Sequence, residues 1–181
     1  MRLVILGGGE SGIGTAILGL KKGYDVFVSD NGVIAKKYKQ VLLSNKIAFE
    51  EDGHSEEKIF SADVVMKSPG ISDTVSLAVS LKEKGVRVIS EIEFASQFTD
   101  ANIVGITGSN GKTTTTMLTH HILKEGMLNV GMAGNIGVSY ALQVAESNFS
   151  DYVLELSSFQ LDGIEKFAPH IAIITNITSD H

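Results

Sequence analysis

The chain has 181 residues, 43% of them hydrophobic and 20% charged, with a formal net charge of −6 and no cysteine. That balance supports a packed core in one or two domains and argues against disorder. It excludes disulfides and thiolate metal sites, disfavours duplex nucleic acid as a partner, and holds no apolar run near the roughly 20 residues of a membrane helix.

Short apolar runs alternate with amphipathic ones. Leu3–Leu6 predicts a strand, Ile13–Lys22 a helix, Asp25–Ser29 a strand and Ala35–Asn45 a helix. Val64–Met66 and Val86–Ile89 predict strands flanking a helix over Thr74–Lys84. The helices stop at Gly23, Asn45 and Gly85, residue types suited to a C-terminal cap. Thr99-Asp100 interrupts the pattern, which restarts at Asn102 and predicts a boundary between residues 98 and 99. Ile103–Ile106, Asn129–Gly131, Tyr152–Leu156 and Ile171–Thr175 then predict strands, with helices over Thr114–Lys124 and Val138–Ser147. Strand and helix in repetition mean an α/β fold on parallel sheets. With no leader segment expected, a cytoplasmic protein is predicted.

The most informative stretch is Gly105-Ile106-Thr107-Gly108-Ser109-Asn110-Gly111-Lys112-Thr113, followed by Thr114. A strand feeds a glycine loop, and the loop feeds a helix. Amides freed at a helix start point at an anion, the helix dipole favours negative charge there, the lysine adds a cation and a hydroxyl can ligate Mg²⁺. The general P-loop pattern asks for glycine where Ile106 stands, so the prediction rests on Gly108, Gly111, Lys112 and Thr113. The plainer alternative is a glycine turn before an ordinary helix.

Near the front, Gly7-Gly8-Gly9-Glu10-Ser11-Gly12 follows the first strand, and Asp30 ends the second. This is the spacing of a dinucleotide-binding loop: close backbone approach to a diphosphate, a helix start beneath it, an acid for a ribose hydroxyl. It specifies a diphosphate better than it specifies NAD, and a ligand-free tight turn is the other reading. Glu155 ends an apolar strand before Ser157-Ser158-Phe159-Gln160, where an acid commonly holds Mg²⁺ opposite a nucleotide. Asn135 in Gly134-Asn135-Ile136-Gly137 either approaches a ligand or caps a helix. Asp180 and His181 follow the last strand as metal-ligand candidates or as a polar loop. His120 and His121 read as surface or packing residues of a helix, and His54 carries no signal.

Taken together, Thr107–Thr113, Gly134–Gly137, Glu155–Leu161 and Asn176-Ile177-Thr178-Ser179-Asp180-His181 resemble the Mur ligases, ATP-dependent amide-forming enzymes of peptidoglycan synthesis. The first half is most similar to the members that add D-glutamate to UDP-N-acetylmuramoyl-L-alanine, through Gly7–Gly12, Ser68-Pro69-Gly70 and Ser90-Glu91-Ile92-Glu93-Phe94. The alanine-adding members usually carry histidine where Asn110 stands.

The resemblance implies a Rossmann-like UDP-binding domain over 1–98, followed by a truncated P-loop ATPase α/β domain over 99–181. It implies substrate contacts from Gly9, Glu10, Ser11, Gly12, Asp30, Asn31 and Gly70, and from Asn135, Ser157 and Gln160 on the muramoyl-alanine side. ATP would be held by Gly108, Ser109, Asn110, Gly111, Lys112, Thr113 and Thr114. Lys112, Glu155 and His181 would be catalytic, and Thr113, Glu155 and His181 would hold Mg²⁺. The implied partners are small molecules only: UDP-N-acetylmuramoyl-L-alanine, D-glutamate and ATP, with no nucleic acid and no membrane. Gly32 departs from relatives that place arginine near the uridine. Family members continue into a third domain, so the chain is expected to be a piece that is inactive as a ligase alone. The intact protein is expected to be a monomer and the piece to self-associate. Competing readings are a NAD- or nucleotide-binding Rossmann module, and another ligase of the superfamily such as a folylpolyglutamate synthase.

Overall fold

A computed structural model describes residues 1–178. The first run of elements is β1 (Arg2–Leu6), α1 (Glu10–Lys21), β2 (Asp25–Ser29), α2 (Lys36–Ser44), β3 (Ala48–Glu50), α3 (Glu56–Phe60), β4 (Val64–Lys67), α4 (Ser76–Glu83), β5 (Arg87–Ile89) and α5 (Glu91–Ser96). The second is β6 (Asn102–Thr107), α6 (Lys112–Glu125), β7 (Val130–Gly134), α7 (Tyr140–Glu146), β8 (Asp151–Glu155), α8 (Ser158–Leu161) and β9 (Ile171–Ile174).

Two parallel sheets result, ordered β3-β2-β1-β4-β5 and β7-β8-β6-β9. Strands covered on both faces are apolar throughout rather than alternating, as Leu3, Val4, Ile5 and Leu6 are, all of them buried. In the first sheet the chain winds outward from β1 to β3, then restarts on the other side at β4. The loops after β1 and β4 therefore flank a reversal of strand order, where open α/β sheets bind ligands. In the second sheet β6 is central, with β8 on one side and β9 on the other.

The largest core cluster belongs to neither sheet alone. It joins Leu3 and Ile5 of β1 and Ile17 of α1 to Phe94 of α5, Tyr140 of α7 and Tyr152 and Leu154 of β8. Helices α1, α5 and α7 form the shared layer, and each large apolar side chain removed from water there contributes about 1.5–3 kcal/mol. The outer face of the first sheet has its own cluster around Val4, Phe27, Ile59 and Leu81. The outer face of the second is thinner, with Ile106, Val130 and Val153 at its centre. No helix among the described residues is long and apolar enough to cross a membrane.

Most predicted elements form within a few residues of their expected ends. The strand expected over Asn129–Gly131 runs instead from Val130 to Gly134, and the helix expected from Val138 starts at Tyr140 behind the cap Ser139. Four short elements were not predicted: β3, α3, α5 and α8. Asn45 ends α2 as expected, but the left-handed residue there is Lys46, with φ +56°. The segment at residues 98 and 99 lies between α5 and β6.

Candidate functional site

The loop between β6 and α6 is held from below by the chain leaving β9. Thr175 Oγ1 donates to the Asn110 carbonyl at 2.6 Å and Asn176 Nδ2 donates to the same oxygen at 2.9 Å. The Asn110 amide donates back to Asn176 Oδ1 at 3.0 Å. Gly108 has φ +138°, and a Cβ there would fall 2.2 Å from Thr175 Oγ1, so only glycine fits. Gly111 opens α6 with φ +80° and no side chain caps the helix among the described residues, which leaves first-turn amides open toward an anion. Lys112 Nζ bends over the loop, donating to the Gly108 and Ser109 carbonyls at 2.6 and 3.1 Å. Thr113 and Thr114 are exposed beside it.

Glu155 lies next to this loop because β8 pairs with β6 in register, Ile106 opposite Glu155. Its carboxylate is 1% exposed. Asn135 Nδ2 donates to Oε1 at 2.8 Å, while Oε2 is buried with no hydrogen-bond partner among the described residues. A buried carboxylate oxygen left bare costs free energy unless a cation or donor meets it. The bare oxygen beside the β6–α6 loop is therefore chemically suited to meet a cation or a donor. No group of three or more His, Cys, Asp or Glu gathers as a metal site among the described residues. His181, the third expected metal ligand, lies outside those residues. Gly134, with φ +105°, lets the chain pass close to Glu155: a Cβ there would sit 2.2 Å from the Glu155 carbonyl.

The front loop is built on equally close approaches. A Cβ on Gly12 would meet the Gly7 carbonyl at 1.9 Å, and one on Gly7 would meet Ser68 Oγ at 2.6 Å. The loops after β1 and β4 thus nearly touch, and Ser68 Oγ is buried beside them with no hydrogen-bond partner among the described residues. Asp30 takes the Gly8 amide on Oδ2 at 2.6 Å and the Gly32 amide on Oδ1 at 2.8 Å. One step earlier, buried Ser29 donates to Glu50 Oε1 at 2.7 Å and has His54 Nδ1 at 2.7 Å, an arrangement in which the imidazole donates. Burial pushes the Glu50 carboxyl up, but bonds from the Ser55 and Ser29 hydroxyls, the Ser55 amide and Lys58 outweigh it and hold its pKa down at about 2.

Between the sheets lies a cleft of about 640 Å³, lined by Lys67, Gly70 and Asp73 on one side and Asn135, Ser157, Phe159 and Asp162 on the other. That volume suits a small organic ligand. Lys67 Nζ donates to the Ile71 carbonyl at 2.5 Å and pairs with Asp73 at 3.5 Å.

Residues 2–77 match the family model for the MurD N-terminal domain, and residues 106–181 match that for the Mur ligase middle domain. The chain belongs to the Mur ligase family. It is 66% identical over 180 residues to the UDP-N-acetylmuramoylalanine--D-glutamate ligase of Christiangramia forsetii and 57% identical to that of Bacteroides fragilis. Each match covers 99% of this chain but 40% of the relative, so the chain spans two fifths of their length. Its fold matches the UDP-N-acetylmuramate:L-alanyl-gamma-D-glutamyl-meso-diaminopimelate ligase of Neisseria meningitides, with TM-score 0.64, 23% identity, and coverage of 99% of this chain and 61% of that one. It also matches UDP-N-acetylmuramate-alanine ligase MurC of Thermotoga maritima, with TM-score 0.61, 23% identity, and coverage of 100% and 42%.

In this Mur ligase chain, Gly70, Asn135 and Ser157 meet at the cleft. Lys112 and Thr113 share the neighbouring loop and first helical turn with Gly108, Ser109, Asn110, Gly111 and Thr114. Gly9, Glu10, Ser11 and Gly12 open α1 around the front loop, with Asp30 and Asn31 beyond β2. Gln160 is turned inward: its Oε1 accepts from the Ser157 amide at 2.9 Å and the Ser157 hydroxyl at 3.1 Å, so it orients Ser157 rather than lining the cleft. The sequence reading missed Lys67, Asp73, Phe159 and Asp162 in the cleft walls. It also missed the hold of Thr175 and Asn176 on the phosphate loop and the bond between Ser29 and His54. Nothing in local spacing marks those residues, because each acts across elements distant in sequence.

Proposed function

We propose that this chain carries the sugar-nucleotide site and the phosphate loop of an ATP-dependent ligase that adds D-glutamate to UDP-N-acetylmuramoyl-L-alanine in the cytoplasm. The observation that carries this reading is the cleft itself, with the loop after β4, which abuts the front glycine loop at Ser68, in one wall, and Asn135, Ser157 and the bare oxygen of Glu155 beside the other. The 66% identity to a relative of that name supports the choice of D-glutamate and of the alanyl substrate.

In this reading residues 1–98 hold the UDP moiety and residues 99–181 the triphosphate. The front-loop amides and Ser68 receive the diphosphate, with Asp30 fixing the loop from behind and Asn31 near the uridine. Lys112 leaves its loop carbonyls and pairs with the β- and γ-phosphates. Thr113 and Glu155 would hold Mg²⁺, with His181 at a second metal position, and a cation bound there would offset the charge of the two anions brought together. Asn135 and Ser157 orient the alanyl carboxylate toward the γ-phosphate. The carboxylate oxygen attacks phosphorus, ADP leaves, and the resulting acyl phosphate accepts the D-glutamate amine with loss of phosphate. Activation is needed because a carboxylate is a poor electrophile, and the cations and oriented amides supply electrostatic stabilisation where charge gathers.

A thermal-shift panel on the purified chain tests the reading. UDP-N-acetylmuramoyl-L-alanine and Mg·ATP should each raise the melting temperature, and NADH should not. A shift with NADH alone would overturn the proposal in favour of a dinucleotide-binding module.

A further inference from the structure

Two buried acids on α5 reach out of the first sheet's chain and grip the second. Glu91 is 1% exposed, and its Oε1 accepts from Ser139 Oγ at 2.6 Å and the Ala141 amide at 3.0 Å. Both donors start α7, directly after the Gly134–Gly137 loop that carries Asn135. Glu93 is 0% exposed, and its Oε2 accepts three successive amides, from Glu165 and Lys166 at 3.0 Å and Phe167 at 2.8 Å. Those amides follow α8, the short helix that begins behind Ser157. Arg87 closes the second grip, pairing with Glu165 at 2.8 Å and lying 3.7 Å from Glu93 Oε1. The Ser90 amide adds a bond to the Gly163 carbonyl at 2.9 Å.

We propose that Glu91 and Glu93 are positioning residues that set the width of the cleft, clamping the segments that carry Asn135 and Ser157 at a fixed distance from the front loops. The proposal rests on reading that cleft as the sugar-nucleotide site. Neither acid lines the cleft. Apolar contact alone joins layers without fixing their offset, because it is not directional. A buried carboxylate bound to amides is directional and costly to misalign. A row of backbone amides makes an anion nest, and such a nest holds one position of the chain that supplies it. The two groups behave differently. Burial pushes Glu91 up against the pull of the Ser11 and Ser139 hydroxyls and the Ala141 amide. At Glu93 burial also opposes ionisation, but the three amides and Arg87 outweigh it and hold the carboxyl below the usual range.

The test separates UDP, which needs only the first sheet, from UDP-N-acetylmuramoyl-L-alanine, which spans both walls. In Glu91→Ala and Glu93→Ala, calorimetry should find UDP affinity within about twofold of the parent and affinity for the full sugar nucleotide about tenfold lower. Glu91→Gln should restore it, since the amide oxygen still accepts from Ser139 and Ala141. The chain has no cysteine of its own, so spin labels at Glu57→Cys and Glu125→Cys report the spacing of the two sheets. That distance should be narrow in the parent and in Glu91→Gln, and broad in the alanine variants. Equal loss of both ligands, or of neither, would overturn the proposal, as would an unchanged distance distribution. If the parent binds neither ligand, the functional reading falls while the distance measurement still judges the clamp. Should either alanine variant not fold, Ser139→Ala carries the test with the same expected split.

Discussion

Gly14 and Ser139 meet so closely that a Cβ on Gly14 would fall 1.8 Å from the Ser139 hydroxyl and 3.0 Å from the Leu142 amide. This is where α1 of the first sheet packs on α7 of the second. Replacing glycine by alanine in a helix normally gains up to about 1 kcal/mol. Overpacking a filled site costs about 1–3 kcal/mol, and here the crowded atoms belong to a capped helix start that cannot swing aside. The second effect should win. Gly14→Ala should therefore lower the urea midpoint of unfolding, and a raised midpoint would show that α7 can yield.

The unpartnered Oε2 of Glu155 predicts a cation dependence. Glu155→Gln keeps the bond from Asn135 but removes the charge. The Mg²⁺ concentration needed for half-maximal ATP binding should rise about tenfold or more, read by calorimetry at fixed ATP. An unchanged Mg²⁺ midpoint would remove Glu155 from the metal site.

Lys112→Ala separates the two anion loops. Ligand at 100 times its Kd stabilises a protein by about 2.7 kcal/mol, a shift easily seen in a melt. The variant should lose that shift with Mg·ATP and keep it with UDP. Loss of both shifts would mean that the lysine supports the fold rather than the phosphate.

The Glu50 network predicts acid sensitivity with a definite sign. Its carboxyl is held down from the usual 4.5 to about 2 in the folded chain, so ionised Glu50 stabilises the fold above pH 4.5. That contribution is lost as pH falls from 4.5 toward 2. The melting temperature of the parent should exceed that of Glu50→Gln at pH 7, and the gap should shrink through that window. A gap that stays constant between pH 7 and pH 3 would rule out the linkage.

Apolar residues left in solvent predict association. Met117, Leu118 and Ile122 on α6 are 54–58% exposed, and Ile171 and Ile174 on the edge strand β9 are 56% and 61% exposed. Exposed apolar residues and an edge strand each favour self-contact. Light scattering should show the average mass rising with concentration, and Ile122→Lys should suppress the rise. A constant monomer mass at high concentration would contradict the prediction.

The strand, glycine loop and helix around Gly108–Lys112 were legible in the sequence because their backbone constraints are local. Gly108, Gly111 and Lys112 are neighbours in the chain, and a strand leading into a helix is written in the same dozen residues. Gly7–Gly12 was legible for the same reason. Asp30 was found by spacing, yet its carboxylate is taken up by the Gly8 and Gly32 amides, an engagement that spacing does not reveal. The short helices α5 and α8 carry serine caps that sequence can show. Ser90 accepts from the Glu93 amide at 3.3 Å, and Ser157 with Gln160 forms a complete capping box. They were read as motifs rather than helices because runs of six and four residues are too short for a helical period.

From its sequence alone, this protein reads as α/β, with two glycine loops at strand-to-helix junctions, and resembles the Mur ligases. Each of those follows from residues adjacent along the chain, whose backbone constraints act within a few positions. The cleft, the bare oxygen of Glu155 and the grip of Glu91 and Glu93 on the second sheet were decided only by tertiary packing. They depend on which strands lie side by side and on burial that makes a misplaced carboxylate costly, and neither is encoded in any single window of the chain.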